Sequence, residues 1–396
     1  MSAQPVLRLR PKADARAIRH GFPWIYDNEL VLDRRTRAIA PGSVAVLEDA
    51  ERRPMAQVAV NTGSRIAARV LDRDCDAEIG FDWLTARLTR ALAHREALYD
   101  APFYRWVHAE ADGLPGVVID RFGSAAVLQP NAAWADARRD TLIEAIRAVA
   151  EIDTLVVNGA SRARKLEGLE GDTLLALGTL DGALAVSMNG ATYFADLLGG
   201  QKTGLFFDQR ENHAFAQRLS RGARVLDVFA HVGGFSLAAL AAGAAHAHAI
   251  DSSDAALDLA QHGASAMGQA ERFETTRGDG FDTMAALAQS GARFDLVVCD
   301  PPAFAPNKSA LAAGLRAYER VARLAAALAA PGGALMLCSC SHAADLTQCR
   351  AACTRGIGKA GRQGAIVYTG FAAPDHPQLP QLAESAYLKA LAFRLA

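Results

Sequence analysis

The side chains of this 396-residue chain best suited to chemistry begin with Cys338-Ser339-Cys340-Ser341-His342, at the end of the apolar run LML. Residues two apart in an extended strand share a face, so Cys338, Cys340 and His342 are expected to point the same way. A thiolate is a nucleophile. Added at C6 of a pyrimidine ring, it turns C5, too poor a nucleophile to be alkylated unaided, into an enamine carbon. Cys340, nearer the exit of the strand, is the better placed thiol. Three candidate ligands without a second cluster make a metal centre a poor reading, and no metal is expected. The plain structural alternative is a set of small buried residues closing a strand.

A second group, Asp300-Pro301-Pro302-Ala303-Phe304, follows the apolar run 294–299. Each proline fixes its own φ and restricts the residue before it, so the turn is rigid. Such a turn can hold Asp300 against the edge of a base, with Phe304 to stack on it; the alternative is a structural stop to the strand. The third group spans Arg224 to Asp251: a buried strand ending on Asp227, a turn containing Gly233 and Gly234, an alanine-rich helix, and a second strand ending on Asp251. Glycines allow backbone to approach a ligand, and an acid at the second strand end can accept from a ribose diol. The turn reads Ala230-His231-Val232-Gly233-Gly234-Phe235, not GxGxxG, which disfavours a pyrophosphate and a dinucleotide oxidoreductase. A nucleoside cofactor without that group, S-adenosylmethionine, is preferred. In 199–219, Gln201, Lys202, Gln209 and Arg210 surround Leu205-Phe206-Phe207, an apolar slot with directed polar groups suited to an adenine or methionine moiety. Asp208 stands where it can cap a helix; a capped surface helix after a polar loop is the alternative.

The elements that must position these groups follow from periodicity. From 224 onward five strand–helix units alternate, with strands at 225–228, 246–250, 272–276, 294–299 and 334–339, and short strands near 365–371 and 387–394. This predicts an α/β fold with a doubly wound parallel sheet, whose ligands bind at the C-terminal strand ends. Upstream, 183–195 reads as a hairpin with an Asn-Gly turn. Residues 74–185 read as an α+β module with a helix over 81–98, in which Glu110, Asp112 and Asp120 are expected to be a solvated turn cluster. Residues 1–73 contain short β-like runs suited to a small β-barrel, and 13 Arg and Lys against 8 Asp and Glu give this segment a charge of +5 in a chain of net charge −1. That local excess allows nucleic acid, with Trp24 or Tyr26 as a stacking surface or, alternatively, as barrel core. The 51% apolar and 21% charged composition is globular. No apolar run is long enough for a membrane span, and the N-terminus lacks the apolar segment of a secretory signal. Six cysteines without a CxxC pair fit a reducing cytoplasm.

These motifs, in order and spacing, resemble the bacterial 23S ribosomal RNA cytosine-5 methyltransferases of the large-subunit methyltransferase I type. The segments that carry the resemblance are HGFPWIYDNEL (20–30), EADGLPGVVIDRFG (110–123), GQKTGLFFDQREN (200–212), VLDVFAHVGGFS (225–236), DPPAF (300–304) and CSCSH (338–342). The resemblance implies an N-terminal PUA β-barrel (1–73), a middle α+β domain (74–185) and a Rossmann-like class I methyltransferase domain (186–396). It implies S-adenosylmethionine as cofactor, with Asp251 at the ribose and Asp279 at the adenine. Asp227, Phe229, Gly233, Gln209, Arg210 and Asp300 surround the rest. Cys340 is the implied nucleophile, and Asp300 the group that binds or protonates N3. Lys202, Phe304, Lys308 and Trp24 are the implied RNA contacts. Two places depart from the family pattern: Ala303 stands where a Lys is usual, and Ala230-His231-Val232 where a polar or aromatic-rich turn is usual. The implied partner is 23S ribosomal RNA or a large-subunit assembly intermediate, with no membrane; self-association into a homodimer is left open. Methylation of a guanine nitrogen and a non-catalytic RNA-binding or assembly role remain the alternatives.

Overall fold

The structure, a computed structural model, describes residues 4–200 and 204–396. The chain forms two compact units: Met1–Asp181 with Asp375–Ser385, and Gly182–Pro374 with Ala386–Ala396.

In the first unit, strands β1 (Val6–Arg8), β2 (Trp24–Tyr26), β3 (Val44–Glu48), β4 (Pro54–Val60) and β5 (Ile66–Asp72) form a sheet in the order β1-β3-β4-β5-β2. A bridge between Leu9 and Leu30 joins its two edges and removes the exposed edge an open sheet would carry. Alternation explains its core: Ala45 and Leu47 of β3 point inward with Leu7, Ile25 and Val58. The short β2 strand, absent from the sequence reading, contains Trp24 and Tyr26. A second sheet follows, built from β6 (Phe103–His108), β7 (Val117–Phe122), β8 (Ala125–Pro130), β9 (Thr154–Asn158) and β10 (Thr173–Leu177), in the order β10-β9-β8-β7-β6. Helices Phe81–Glu96 and Arg139–Val149 supply Leu84, Leu88, Leu142 and Ile146 to its core. Ala59 and Leu71, from β4 and β5, belong to the same cluster, so the two sheets share one core.

The acids expected as a solvated turn cluster are instead partnered below the surface. Glu110 accepts from Arg69 (2.7 Å) and from the Trp24 indole (2.7 Å). Asp112 pairs with the fully buried Arg95 at 2.6 Å, and the fully buried Asp120 pairs with Arg105. A buried carboxylate needs an opposite charge, and each of these has an arginine. The sequence pattern did not expose those partners because Arg69 lies 41 residues from Glu110.

In the second unit, β11 (Leu184–Met188) and β12 (Ala191–Ala195) form the expected hairpin. Asn189 (φ 54°) and Gly190 (φ 72°) both take left-handed φ, as a type I′ turn requires. The main sheet comprises β13 (Arg224–Val228), β14 (His246–Asp251), β15 (Phe273–Arg277), β16 (Phe294–Cys299), β17 (Ala329–Ser339), β18 (Gly364–Gly370) and β19 (Lys389–Leu395). Their order is β15-β14-β13-β16-β17-β19-β18, with β13 to β17 parallel and β19 antiparallel to both neighbours. Covered by helices on both faces, the central strands are near-continuous apolar runs such as VLDV and FDLVVC. The chain steps from β13 out to β14 and β15, then returns to β16 on the other side. A crevice therefore opens at the C-terminal ends of β13 and β16. Asp227 and Asp300 stand at that switch point. Between β18 and β19 the chain leaves this unit: Asp375–Ser385 belong to the first, where Asp375 accepts the Arg105 N–H at 2.9 Å.

Candidate active site

The turn after β13 is strained. Phe229 (φ 65°) and His231 (φ 50°) are left-handed without being glycine, and Gly233 (φ 80°) follows. Non-glycine residues avoid this region at a cost of about 1–2 kcal/mol each, so tertiary contacts must hold them there. Asp251 does part of this: its Oδ2 accepts the His231 N–H (2.8 Å) and its Oδ1 the Ser253 N–H (2.9 Å). Each oxygen has a further lone pair, which suits a half-exposed acid to a diol. A side chain at Gly233 would be crowded as well as strained, because a Cβ there would lie 3.0 Å from that of Ala260.

Asp227 is fully buried under this turn, and its Oδ2 accepts the Ser236 N–H at 2.9 Å. Its Oδ1 has no partner among the described residues. Burial, with some help from Asp251, pushes its pKa up to about 6. An acid left this way is incomplete without a cation or donor.

The third strand end contributes Asp300. Its N–H donates to Val228 O (3.2 Å), tying the turns after β13 and β16 together. Its Oδ2 accepts from Gln209 Nε2 at 2.9 Å. Gln209 is buried and held in turn by Asn212, whose Nδ2 donates to Gln209 Oε1 (2.6 Å) and whose Oδ1 accepts from Tyr368 (3.1 Å). Phe229, Phe281 and Phe304 form an aromatic wall beside these groups, with ring centroids 6.1 Å (229–281) and 5.9 Å (281–304) apart. Asp279 caps the helix Gly280–Gln289, its Oδ1 accepting from Phe281 N and Asp282 N.

The two thiols of CSC separate sharply. Strand β17 ends at Ser339, so Cys338, Cys340 and His342 do not share one extended face as expected. Cys338 is buried and its pKa is driven well above the ordinary thiol value by desolvation, with Asp300 adding to it. Cys340 is half-exposed, and its Sγ lies 4.0 Å from the carbonyl oxygen of Pro301. The loop is fixed by a buried hydroxyl chain. Ser339 Oγ donates to Tyr318 OH (2.8 Å), Tyr318 OH meets Ser341 Oγ (2.7 Å), and Ser341 Oγ accepts the Ala305 N–H (2.9 Å). Tyr318, on helix Leu311–Leu328, thus joins the cysteine loop to the Asp-Pro-Pro turn.

The arrangement fits a nucleoside cofactor with a cationic tail. The unpartnered Oδ1 of Asp227 suits an ammonium group, Asp251 a ribose, and the phenylalanine wall an aromatic base. A family model for S-adenosylmethionine-dependent methyltransferases matches residues 159–394, and one for a PUA-like domain matches 7–73. Two relatives match almost end to end. A ribosomal RNA large subunit methyltransferase I of Cronobacter sakazakii is 32% identical, covering 96% of this chain and 97% of that one. A ribosomal RNA large subunit methyltransferase of Deinococcus radiodurans is 35% identical, covering 98% of both. The chain belongs to the ribosomal RNA large subunit methyltransferase I family.

Its cofactor is S-adenosylmethionine. Two solved structures share the family fold across 98% of this chain and 100% of theirs, at 17% identity. One, assigned as a methyltransferase and complexed with SAH, superposes with a TM-score of 0.83. The other, assigned to the SAM-dependent methyltransferases of Streptococcus mutans, gives 0.82. The tRNA m1G37 methyltransferase of M. jannaschii shares the fold more distantly (TM-score 0.51, 14% identity, 78% of each chain). The fold alone therefore does not choose between a ring nitrogen and a ring carbon.

Of the residues singled out in this family member's sequence, Asp227, Phe229, Gly233, Asp251, Asp279, Gln209, Asp300, Phe304 and Cys340 lie on the turns at the strand ends or on the segment before β13. Arg210 is buried with its guanidinium 5.8 Å from the Phe207 ring, so it braces the segment. Lys308 is exposed in the short helix after the Asn307 cap. Trp24 lies in the first unit, its indole held by Glu110 and Arg69. Lys202 and Gln201 lie outside the described residues. Asp208 does not cap the next helix, whose cap position is Gln209 without a side-chain bond. Its Oδ2 instead accepts from Tyr387 at 2.5 Å, a partner 179 residues away. Phe281, Tyr318, Asn212 and Lys389 were missed: nothing in their local sequence separates them from ordinary core residues.

Proposed function

We propose that the chain methylates C5 of a cytidine in the 23S ribosomal RNA of the large subunit, with Cys340 as nucleophile. The observation that carries this reading is the half-exposed Cys340 thiol at 4.0 Å from Pro301 O, beside Asp300, while the neighbouring Cys338 is buried and protonated. A methyltransferase acting on a guanine nitrogen needs the Asp-Pro-Pro turn but no thiol next to it.

The target base is out of the stack, because C5 and C6 are unreachable inside a helix. The Cys340 thiolate adds to C6, forming a Sγ–C6 bond. The electron pair moves through the ring, and Asp300 supplies the proton that N3 takes up. Gln209, itself locked by Asn212 and Tyr368, fixes the Asp300 carboxyl for that task. S-adenosylmethionine would supply the electrophilic methyl group that C5 takes, its S–CH3 bond breaking to leave S-adenosylhomocysteine. The C5 proton passes to solvent, cleavage of the Sγ–C6 bond restores the aromatic ring and the free thiolate, and N3 returns its proton to Asp300. Asp227 provides the counter-charge for the cofactor's ammonium and Asp251 the acceptor for its ribose.

Tritiated S-adenosylmethionine and large-subunit ribosomal RNA, with wild type and Cys340→Ala, test this. The expected product is 5-methylcytidine from wild type and at least a thousandfold less from the variant. 5-Methylcytidine from Cys340→Ala at the wild-type rate would remove the nucleophile assignment. Methylated guanine alone from wild type would replace the acceptor.

A further inference from the structure

Lys389 is an uncommon feature beside this site: a buried lysine on the antiparallel strand β19. It pairs in register with Ser339, the residue before Cys340. Its ammonium donates to Ser341 O (2.7 Å), just after Cys340, and to Ala344 O (2.8 Å). Lys389 therefore meets the chain on both sides of Cys340, its backbone opposite Ser339 and its ammonium at Ser341 and Ala344. Among the described residues no carboxylate lies within ion-pair distance of it. A buried cation solvated by two carbonyls is incomplete without an anion, since carbonyl dipoles replace only part of its hydration. Desolvation accordingly lowers its pKa, and the thiols Cys349 and Cys340, with the more distant carboxylate of Asp345, act in the opposite direction.

Two thiols compete for this cation, and the structure separates them. Cys349, on helix Leu346–Lys359, is buried; its Sγ donates to Ser339 Oγ (3.7 Å) and Ala344 O (3.8 Å). Burial raises its pKa, so it stays protonated. Cys340 is half-exposed, and water can solvate the far side of its thiolate.

We propose that Lys389 is a positioning residue for methyl transfer, holding the cysteine loop by its carbonyls and stabilising the Cys340 thiolate as its counter-ion. This deepens the cytosine-C5 reading and rests on it for its functional meaning. Of the titratable and charged groups at this loop, Tyr318 from helix Leu311–Leu328 and Lys389 act on Cys340 itself, Asp300 from the turn after β16 acts on Cys338, Cys349 and Asp345 at the next helix act on Lys389, and His342 follows in the same segment. Asp300 and Asp345 oppose a thiolate; Lys389 favours it. Its removal should raise the pH at which Cys340 becomes reactive, a change that loss of packing alone does not produce.

The test is alkylation of the full chain with iodoacetamide between pH 6 and pH 10, each cysteine read separately by peptide mass spectrometry. Lys389→Gln should raise the Cys340 midpoint by about one pH unit or more, and Lys389→Arg should keep it within about 0.3. An unchanged midpoint in a folded Lys389→Gln, judged by its melting curve, overturns the proposal. Wild type alone provides a second measurement, needed if the glutamine variant does not fold. Cys340 should react at lower pH than the half-buried Cys75, whose pKa is raised by burial and by Asp76 and Asp74; an equal or higher midpoint overturns the proposal. Labelling does not depend on methyl transfer, so the two readings fail separately. A midpoint shift in Lys389→Gln with normal 5-methylcytidine formation by Cys340→Ala keeps the ion pair and removes the nucleophile.

Discussion

Replacing Asp227 by Asn tests whether the buried acid at the end of β13 exists for the cofactor. Burial raises its pKa from 3.8 to about 6, so the ligand-free fold favours the neutral form. That contribution to stability is complete below pH 3.8 and is lost as the pH rises through about 6. A displacement of about two pH units is worth about 3 kcal/mol, of which about 1.4 kcal/mol falls between pH 5 and pH 8. Asn does not ionise. The stability of Asp227→Asn relative to wild type should therefore rise by about 1.4 kcal/mol across that interval, whatever fixed penalty the new amide brings. Urea unfolding of the cofactor-free protein at several pH values measures this. S-adenosylhomocysteine should move the difference at pH 8 back in favour of wild type, because it retains the ammonium that Asp227 Oδ1 is expected to accept. A hydrogen bond to a charged group contributes about 1.5–3 kcal/mol, so titration calorimetry should show binding about ten to a hundred times weaker in the variant. A stability difference that is flat with pH, together with wild-type affinity, would refute the reasoning.

Three further variants have expected outcomes. Tyr318→Phe removes the hydroxyl between Ser339 and Ser341 and leaves two buried groups short of a partner; urea unfolding should show a loss of about 1–3 kcal/mol. The same variant should lose kcat for RNA methylation while S-adenosylhomocysteine affinity stays within twofold, since Tyr318 touches the cysteine loop and not the β13 turn. Gly233→Ala forces a side chain into a left-handed position against Ala260, a cost of about 1–2 kcal/mol, and should weaken cofactor binding at least tenfold by calorimetry. Cys338→Ala should retain 5-methylcytidine formation within about threefold in the tritium assay, because a buried, protonated thiol is no nucleophile; a loss matching that of Cys340→Ala would exchange the roles of the two cysteines.

The strand-end logic was legible because parallel sheets buried on both faces announce themselves as apolar runs ending in turn residues. Asp227, Asp251 and Asp300 each close such a run, and the sheet order places two of them at the switch point. Where one local signal served two outcomes, the sequence could not choose. Asp208 has the type and position of a helix cap, yet its carboxylate is taken by Tyr387. Glu110, Asp112 and Asp120 have the spacing of a solvated turn, yet each meets an arginine supplied by another element.

What the sequence determined by itself was which residue types close the strands, since residue type and a period of two or 3.6 are local properties of the chain. It placed a glycine-containing turn between two acids, a rigid Asp-Pro-Pro corner and a pair of thiols in order along the chain. The sequence favoured Cys340 only by its place nearer the strand exit; only the tertiary structure decided how far the two thiols differ, because desolvation of Cys338 and exposure of Cys340 depend on the termination of β17 at Ser339. The supports of that thiol were likewise invisible. Tyr318 and Lys389 reach the loop from a helix and from an antiparallel strand about 20 and 50 residues away, and neither distance leaves a pattern in the sequence. Hydrogen bonds across such separations are fixed by packing, and packing is a property of the whole sheet.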